Sequence, residues 1–167
     1  MNAGRHGRKQ TNISIFSEEF SEMMSLLSDF HVPIAVFNMK PQGEDLASPL
    51  NERIREYNKV LESLVSEFPQ ASLLDVYGPF SAEITARRSA LVCPAPSARI
   101  TDIVRPGRII RTMLMHLLCL GWLSWNWIGE REGFVMSSDG LHCNERAGDV
   151  LRAAARRFLD ERLRRTA

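Results

Sequence analysis

The stretch "HVPIAVFNMKPQGEDLASPLNERIREYNKVLESLVSEFPQASLLDV", residues 31 to 76, decides the fold class of this chain. Its two ends, "HVPIAVFNM" at 31–39 and "ASLLDVYG" at 71–78, are apolar runs without polar alternation. Such runs suit strands covered on both faces, as in a parallel sheet, and Gly78 with Pro79 closes the second. Between them "KPQGEDLASP" is a loop of turn formers, and Ser48 with Pro49 fits the cap and first position of a helix. Ile54, Tyr57, Leu61, Leu64, Val65 and Phe68 give that helix one apolar face. Strand, helix, strand in this order predicts a crossover unit, hence an α/β protein with parallel strands.

Upstream, Ile15, Phe16, Phe20, Met23, Met24, Leu27 and Phe30 recur at helical spacing, predicting a helix over Ser14 to Phe30. Ser17, Glu18 and Glu19 suit its N-terminus, a hydroxyl cap followed by acids at the positive dipole end. Downstream, the prolines between Arg87 and Gly107 break any long element. Then comes "RIIRTMLMHLLCLGWLSWNWIGE", residues 108–130, the most apolar segment. Its core of about eighteen residues only grazes the length of a membrane span, and His116, Gly121, Ser124 and Asn126 interrupt it. A buried or substrate-covering helix is expected there, with Trp122, Trp125 and Trp127 in core or interface. "GFVMSS" at 133–138 reads as a short strand. From Asn144 onward Val150, Leu151, Ala154, Ala155, Phe158, Leu159 and Leu163 make a final amphipathic helix, basic toward its end.

The chain has 167 residues, 44% apolar and 25% charged, ordinary values for one globular domain. A formal net charge of +1 gives no reason to expect nucleic acid or an anionic membrane as partner. Cys93, Cys119 and Cys143 are scattered and odd in number, so neither a disulfide framework nor a zinc site is indicated. The opening "MNAGRHGRKQ", taken with the next two residues as a disordered basic start over 1–12, is no secretory signal peptide, which leaves the cytoplasm as the default compartment.

The candidate chemistry lies in "SSDGLHCNERAGDVLRAAARRFL", residues 137–159. A histidine serves as general base near neutral pH, and serves better when a carboxylate holds one ring nitrogen. Asp139 and His142, three residues apart around Gly140, meet that requirement on a tight loop, and Asn144 is placed to cap the helix behind it. Against this stands the plain alternative that both are polar loop residues at a helix start.

The block "DGLHCNERAG" resembles the last motif of the SGNH, or GDSL-type, hydrolases, where an Asp-x-x-His pair completes a Ser–His–Asp triad. Residues 31–76 look like that family's strand, Pro-containing loop, helix and next strand, and the apolar segment near 105–130 is similar to an insert of some members. The resemblance spans about residues 13 to 165, with the last block its sharp motif. It implies a three-layer α/β/α, flavodoxin-like fold and a serine esterase or lipase that hydrolyses a carboxylic ester, acyl or acetyl, with Asp139 and His142 catalytic. It implies no cofactor and no metal.

The block departs from the family pattern at Cys143, where Leu is usual, and in a Gly displaced to position 148. Cys143 is read as packing. The larger departure is that the sequence contains neither "GDS" nor "GxND", the blocks that carry the family's nucleophile and oxyanion donors, nor a GxSxG elbow. The resemblance therefore implies a truncated form, inactive alone, whose incomplete sheet leaves an edge open to self-association. A non-catalytic binding or pairing protein of the same ancestry, and an unrelated α/β binding module, are the alternatives.

Overall fold

Residues 12–91, 106–118 and 122–166 are described by the computed structural model. They form helices α1 (Ile13–Ser28), α2 (Pro49–Ser66), α3 (Tyr77–Arg88), α4 (Pro106–Leu118), α5 (Trp125–Arg131) and α6 (Glu145–Thr166), with strands β1 (Ile34–Phe37) and β2 (Ala71–Leu74). The two strands pair in parallel, Ile34 opposite Ala71 through Phe37 opposite Leu74, and α2 is the crossover between them. The chain is thus an α/β protein, built around the unit that residues 31–76 predict.

Local chemistry places the ends of these elements. Ser48 caps α2 by accepting from the Asn51 amide, and Pro49 occupies the first turn. Tyr57, Leu61, Leu64 and Val65 bury one face of α2, and Phe16 of α1 meets the Tyr57 ring at 5.1 Å. Beyond β2, Val76, Phe80 and Ile84 pack with Val135, Met136, Ala147 and Ala154, so one apolar cluster joins α3, the 134–136 segment and α6.

Several expectations need correction. α1 starts at Ile13 rather than near Ser17, because the Asn12 side chain accepts from Ser14 and supplies the cap five residues before Ser17. The strand β1 is not covered on both faces: Ile34 is buried while Ala35 and Phe37 are exposed, and each strand has one ladder edge without a strand partner among the described residues. Gly78 and Pro79 do not merely close β2; they sit in the first turn of α3, where a proline lacking its N–H costs no hydrogen bond. "GFVMSS" forms no strand, and its only ladder contact among the described residues is an isolated bridge between Ser137 and Cys143.

The apolar segment is not one buried helix either. It divides into α4 and α5, and α4 turns Ile110, Met113, Leu114, Leu117 and Leu118 outward. No helix among the described residues is long and apolar enough to cross a membrane. The basic start over residues 1–12 lies outside the described residues but for Asn12, as do Cys93 and Cys119.

One close approach fixes the site segment against α5. A Cβ added at Gly129 would stand 2.2 Å from the Ser137 carbonyl oxygen, a backbone atom that cannot step aside alone. Gly129→Ala is therefore expected to displace residues 134–138 and lower stability by about 1–3 kcal/mol. Urea unfolding measures this, and an unchanged midpoint would show that α5 does not press on the segment.

Candidate functional site

Gly140, at φ 97°, reverses the chain between Asp139 and Leu141, a backbone state that favours glycine. The Ser138 amide donates to the His142 carbonyl at 2.9 Å, closing a tight loop. Inside it, Asp139 Oδ1 accepts from the amides of Leu141 (2.9 Å) and His142 (2.8 Å), and Oδ2 stands 2.7 Å from His142 Nδ1. The two residues singled out in the sequence thus meet within one loop, carboxylate against ring nitrogen.

Their environments differ. The Asp139 side chain is 3% exposed and that of His142 is 59% exposed. Burial is the largest influence on the Asp139 carboxyl and pushes its pKa up. The amides of His142 and Leu141 and the imidazole together outweigh it and hold the group below its ordinary value. Asp139 is accordingly a carboxylate at neutral pH and can only accept, which makes His142 Nδ1 the donor of this contact, so that the neutral ring carries its lone pair on Nε2. Nε2 has no hydrogen-bond partner among the described residues.

Sequence reasoning missed the group that supports this loop. Glu44, on the loop between β1 and α2, is 4% exposed. Its Oε2 accepts from the Val135 amide at 2.6 Å, and its Oε1 accepts from the amides of Met136 (2.7 Å) and Ser137 (2.9 Å) and from Ser137 Oγ (3.1 Å). These bonds explain why "GFVMSS" is not a strand: the amides of Val135, Met136 and Ser137 are satisfied by a carboxylate instead of a ladder. Burial pushes the Glu44 carboxyl above its ordinary value, with the four donors pulling against that rise.

Glu44 is itself held. Gly43 and Glu44 take φ of 70° and 61°, turning the Glu44 side chain inward. Asn51, fully buried on α2, donates to the carbonyls of Gln42 and Asp45 and accepts from the Gln42 amide. Arg88 of α3 donates to the Glu44 carbonyl, and Lys40 Nζ reaches the Leu141 carbonyl at 3.4 Å. Pro41, Gly43 and Glu44 had only a resemblance to a family loop in their favour; the signal for Glu44's role was one of two adjacent acids, Glu44 and Asp45, among turn formers, which specifies no partner.

The far side of the loop is tied to α6. Asn144 accepts from the Ala147 amide, capping the helix as expected, and donates to the Val135 carbonyl at 2.8 Å. Glu145 accepts from the amides of Trp125 and Asn126, so the first turn of α6 also caps α5.

Neither neighbouring serine offers its hydroxyl to the His142 ring. Ser137 Oγ is bound to Glu44 and Ser138 Oγ faces the His142 carbonyl at 3.5 Å, and both residues are buried. Cys143 is exposed, which corrects the expectation that it packs: it lies on the outer side of the hairpin, opposite Ser137 in the bridge. Among the described residues no group of three His, Cys, Asp or Glu is placed to hold a metal ion.

Comparison with protein-family models, with curated proteins and with solved structures finds no match for this chain.

Proposed function

We propose that the chain carries the acid–base half of an SGNH-type serine ester hydrolase, with Asp139 orienting His142 as general base toward a small carboxylic ester. The single observation behind this is the 2.7 Å contact from a buried carboxylate to Nδ1 of an exposed imidazole whose Nε2 is unengaged. A polar loop that merely starts a helix has no need of that arrangement, since Asn144 already caps α6. In this reading β1 and β2 belong to a larger parallel sheet of the three-layer α/β/α kind, continued at an open ladder edge. The attacking hydroxyl and the oxyanion donors come from outside this sequence, which has no "GDS" or "GxND" block. The chemistry calls for no metal or organic cofactor.

The test uses the expressed chain with a fluorophosphonate probe and p-nitrophenyl acetate. No serine should be labelled stoichiometrically, and p-nitrophenol should appear slowly and without a burst, through His142 alone. His142→Ala should remove that slow turnover. A labelled serine would place the nucleophile within the chain after all. Equal turnover by His142→Ala would remove the base role and favour the non-catalytic pairing protein.

A further inference from the structure

We propose that α4 and the Trp122 turn form a docking surface for an anionic lipid bilayer, lying in the headgroup layer without spanning it. The side chains at 110, 113, 114, 117 and 118 follow the spacing of one helix face, and that face is the outer one. Ile110 is 57% exposed, Leu117 69% and Leu118 77%, and Trp122 just beyond the helix is 88% exposed. The opposite face does the packing. Thr112 is buried, and His116 stacks on Trp125 with ring centroids 3.9 Å apart while its Nδ1 meets the Leu123 carbonyl at 3.0 Å. The helix is anchored by its polar side and shows its apolar side to the surroundings, the reverse of an ordinary surface helix.

Charge selects the occupant. From Ile103 to Gly129 the sequence has no acidic residue, while Arg105, Arg108 and Arg111 precede or enter the helix. The near-zero net charge of the whole chain conceals this one-signed segment. Arg111 is bonded to Glu132, and Arg131 lies over the Trp127 ring at 5.4 Å, its charge on an exposed residue. An exposed apolar helix face followed by an exposed Trp, in a stretch of sequence that holds three arginines and no acid, suits insertion among anionic headgroups. A second copy fits less well. In either sense of pairing the arginines would meet no carboxylate on the mate's α4 face. Thirteen residues are too few to cross a bilayer, so the helix lies on the surface.

The experiment is vesicle co-sedimentation of the whole chain, with tryptophan fluorescence read in parallel. Vesicles of phosphatidylcholine containing phosphatidylserine should bind the chain and shift its tryptophan emission to the blue. Vesicles of phosphatidylcholine alone should bind it at least about tenfold more weakly, and added salt should narrow that difference. Leu117→Glu combined with Leu118→Glu alters only exposed side chains, so circular dichroism should be unchanged while binding falls by at least about tenfold. Failure to bind either vesicle, or equal binding by the double variant, overturns the proposal. So does a concentration-dependent dimer that the double variant abolishes, which would assign the face to a second copy.

Discussion

Glu44→Ala is expected to destabilise the chain by roughly 3–5 kcal/mol, as for other buried charged groups stripped from their partners. The substitution leaves the amides of Val135, Met136 and Ser137 without an acceptor in a buried segment. Each such orphan costs about 1–3 kcal/mol, and a domain of this size holds only about 5–15 kcal/mol in total. Glu44→Gln should cost less. Its one oxygen can keep the three donors now on Oε1, while its amide nitrogen meets only the Val135 N–H as donor against donor. The pH dependence has a defined sign. Burial raises the folded pKa of Glu44 above the ordinary 4.5, so its contribution is complete below that value and declines as pH rises through the raised pKa. The deficit of Glu44→Ala should therefore be largest in acid and shrink toward neutral pH. Urea unfolding of both variants between acid and neutral pH is the measurement. A deficit for Glu44→Ala under about 1 kcal/mol throughout would mean that water replaces the carboxylate and the loop does not depend on it.

How legible this was in the sequence follows the distance over which each interaction acts. Asp139 and His142 are three residues apart, and the two amides that fix the carboxylate belong to the same loop, so the pair could be found by inspection. The crossover unit was legible too, because Ser48, Pro49 and the apolar stripe of α2 are local signals and β1 and β2 are bare apolar runs. Glu44 was not legible: its partners lie 91 to 93 residues downstream, and nothing within "KPQGEDLASP" names them. The same bonds undid the expected strand at 133–138, since an apolar pattern says which side chains seek burial and not which acceptor its amides will find. α3 carried a readable signal in Phe80 and Ile84, spaced four apart and both buried, which the Gly78-Pro79 pair obscured. The α4 segment failed for another reason. Periodicity predicts a face and leaves open whether that face turns inward, and here the inward side is held by Thr112 and His116.

Asp139→Asn is expected to abolish the base function of His142 while leaving the loop folded. The asparagine oxygen can keep the amides of Leu141 and His142 that Oδ1 now accepts. Its amide nitrogen then takes the place of Oδ2 and presents an N–H to Nδ1, where the carboxylate presented a lone pair. Imidazole answers by moving its proton to Nε2, so Nδ1 accepts and the outward nitrogen no longer can. In a complete triad the loss of the correct tautomer costs about 10⁴-fold in turnover, and a loss of that order is expected for any complete site that His142 serves. In the chain alone, the slow p-nitrophenyl acetate hydrolysis should fall to the level of His142→Ala. Nitrogen-15 spectra of the ring give the direct readout, with the proton on Nδ1 in the native chain and on Nε2 in the variant. Stability should change in acid: Asp139, whose folded pKa is held below its ordinary 3.8, contributes stability that is present above that value and lost as pH falls through the folded one. The asparagine variant should lack that acid loss. If its ring keeps the native tautomer, or if hydrolysis persists undiminished, Asp139 does not orient the imidazole and the hydrolase reading loses its geometric basis.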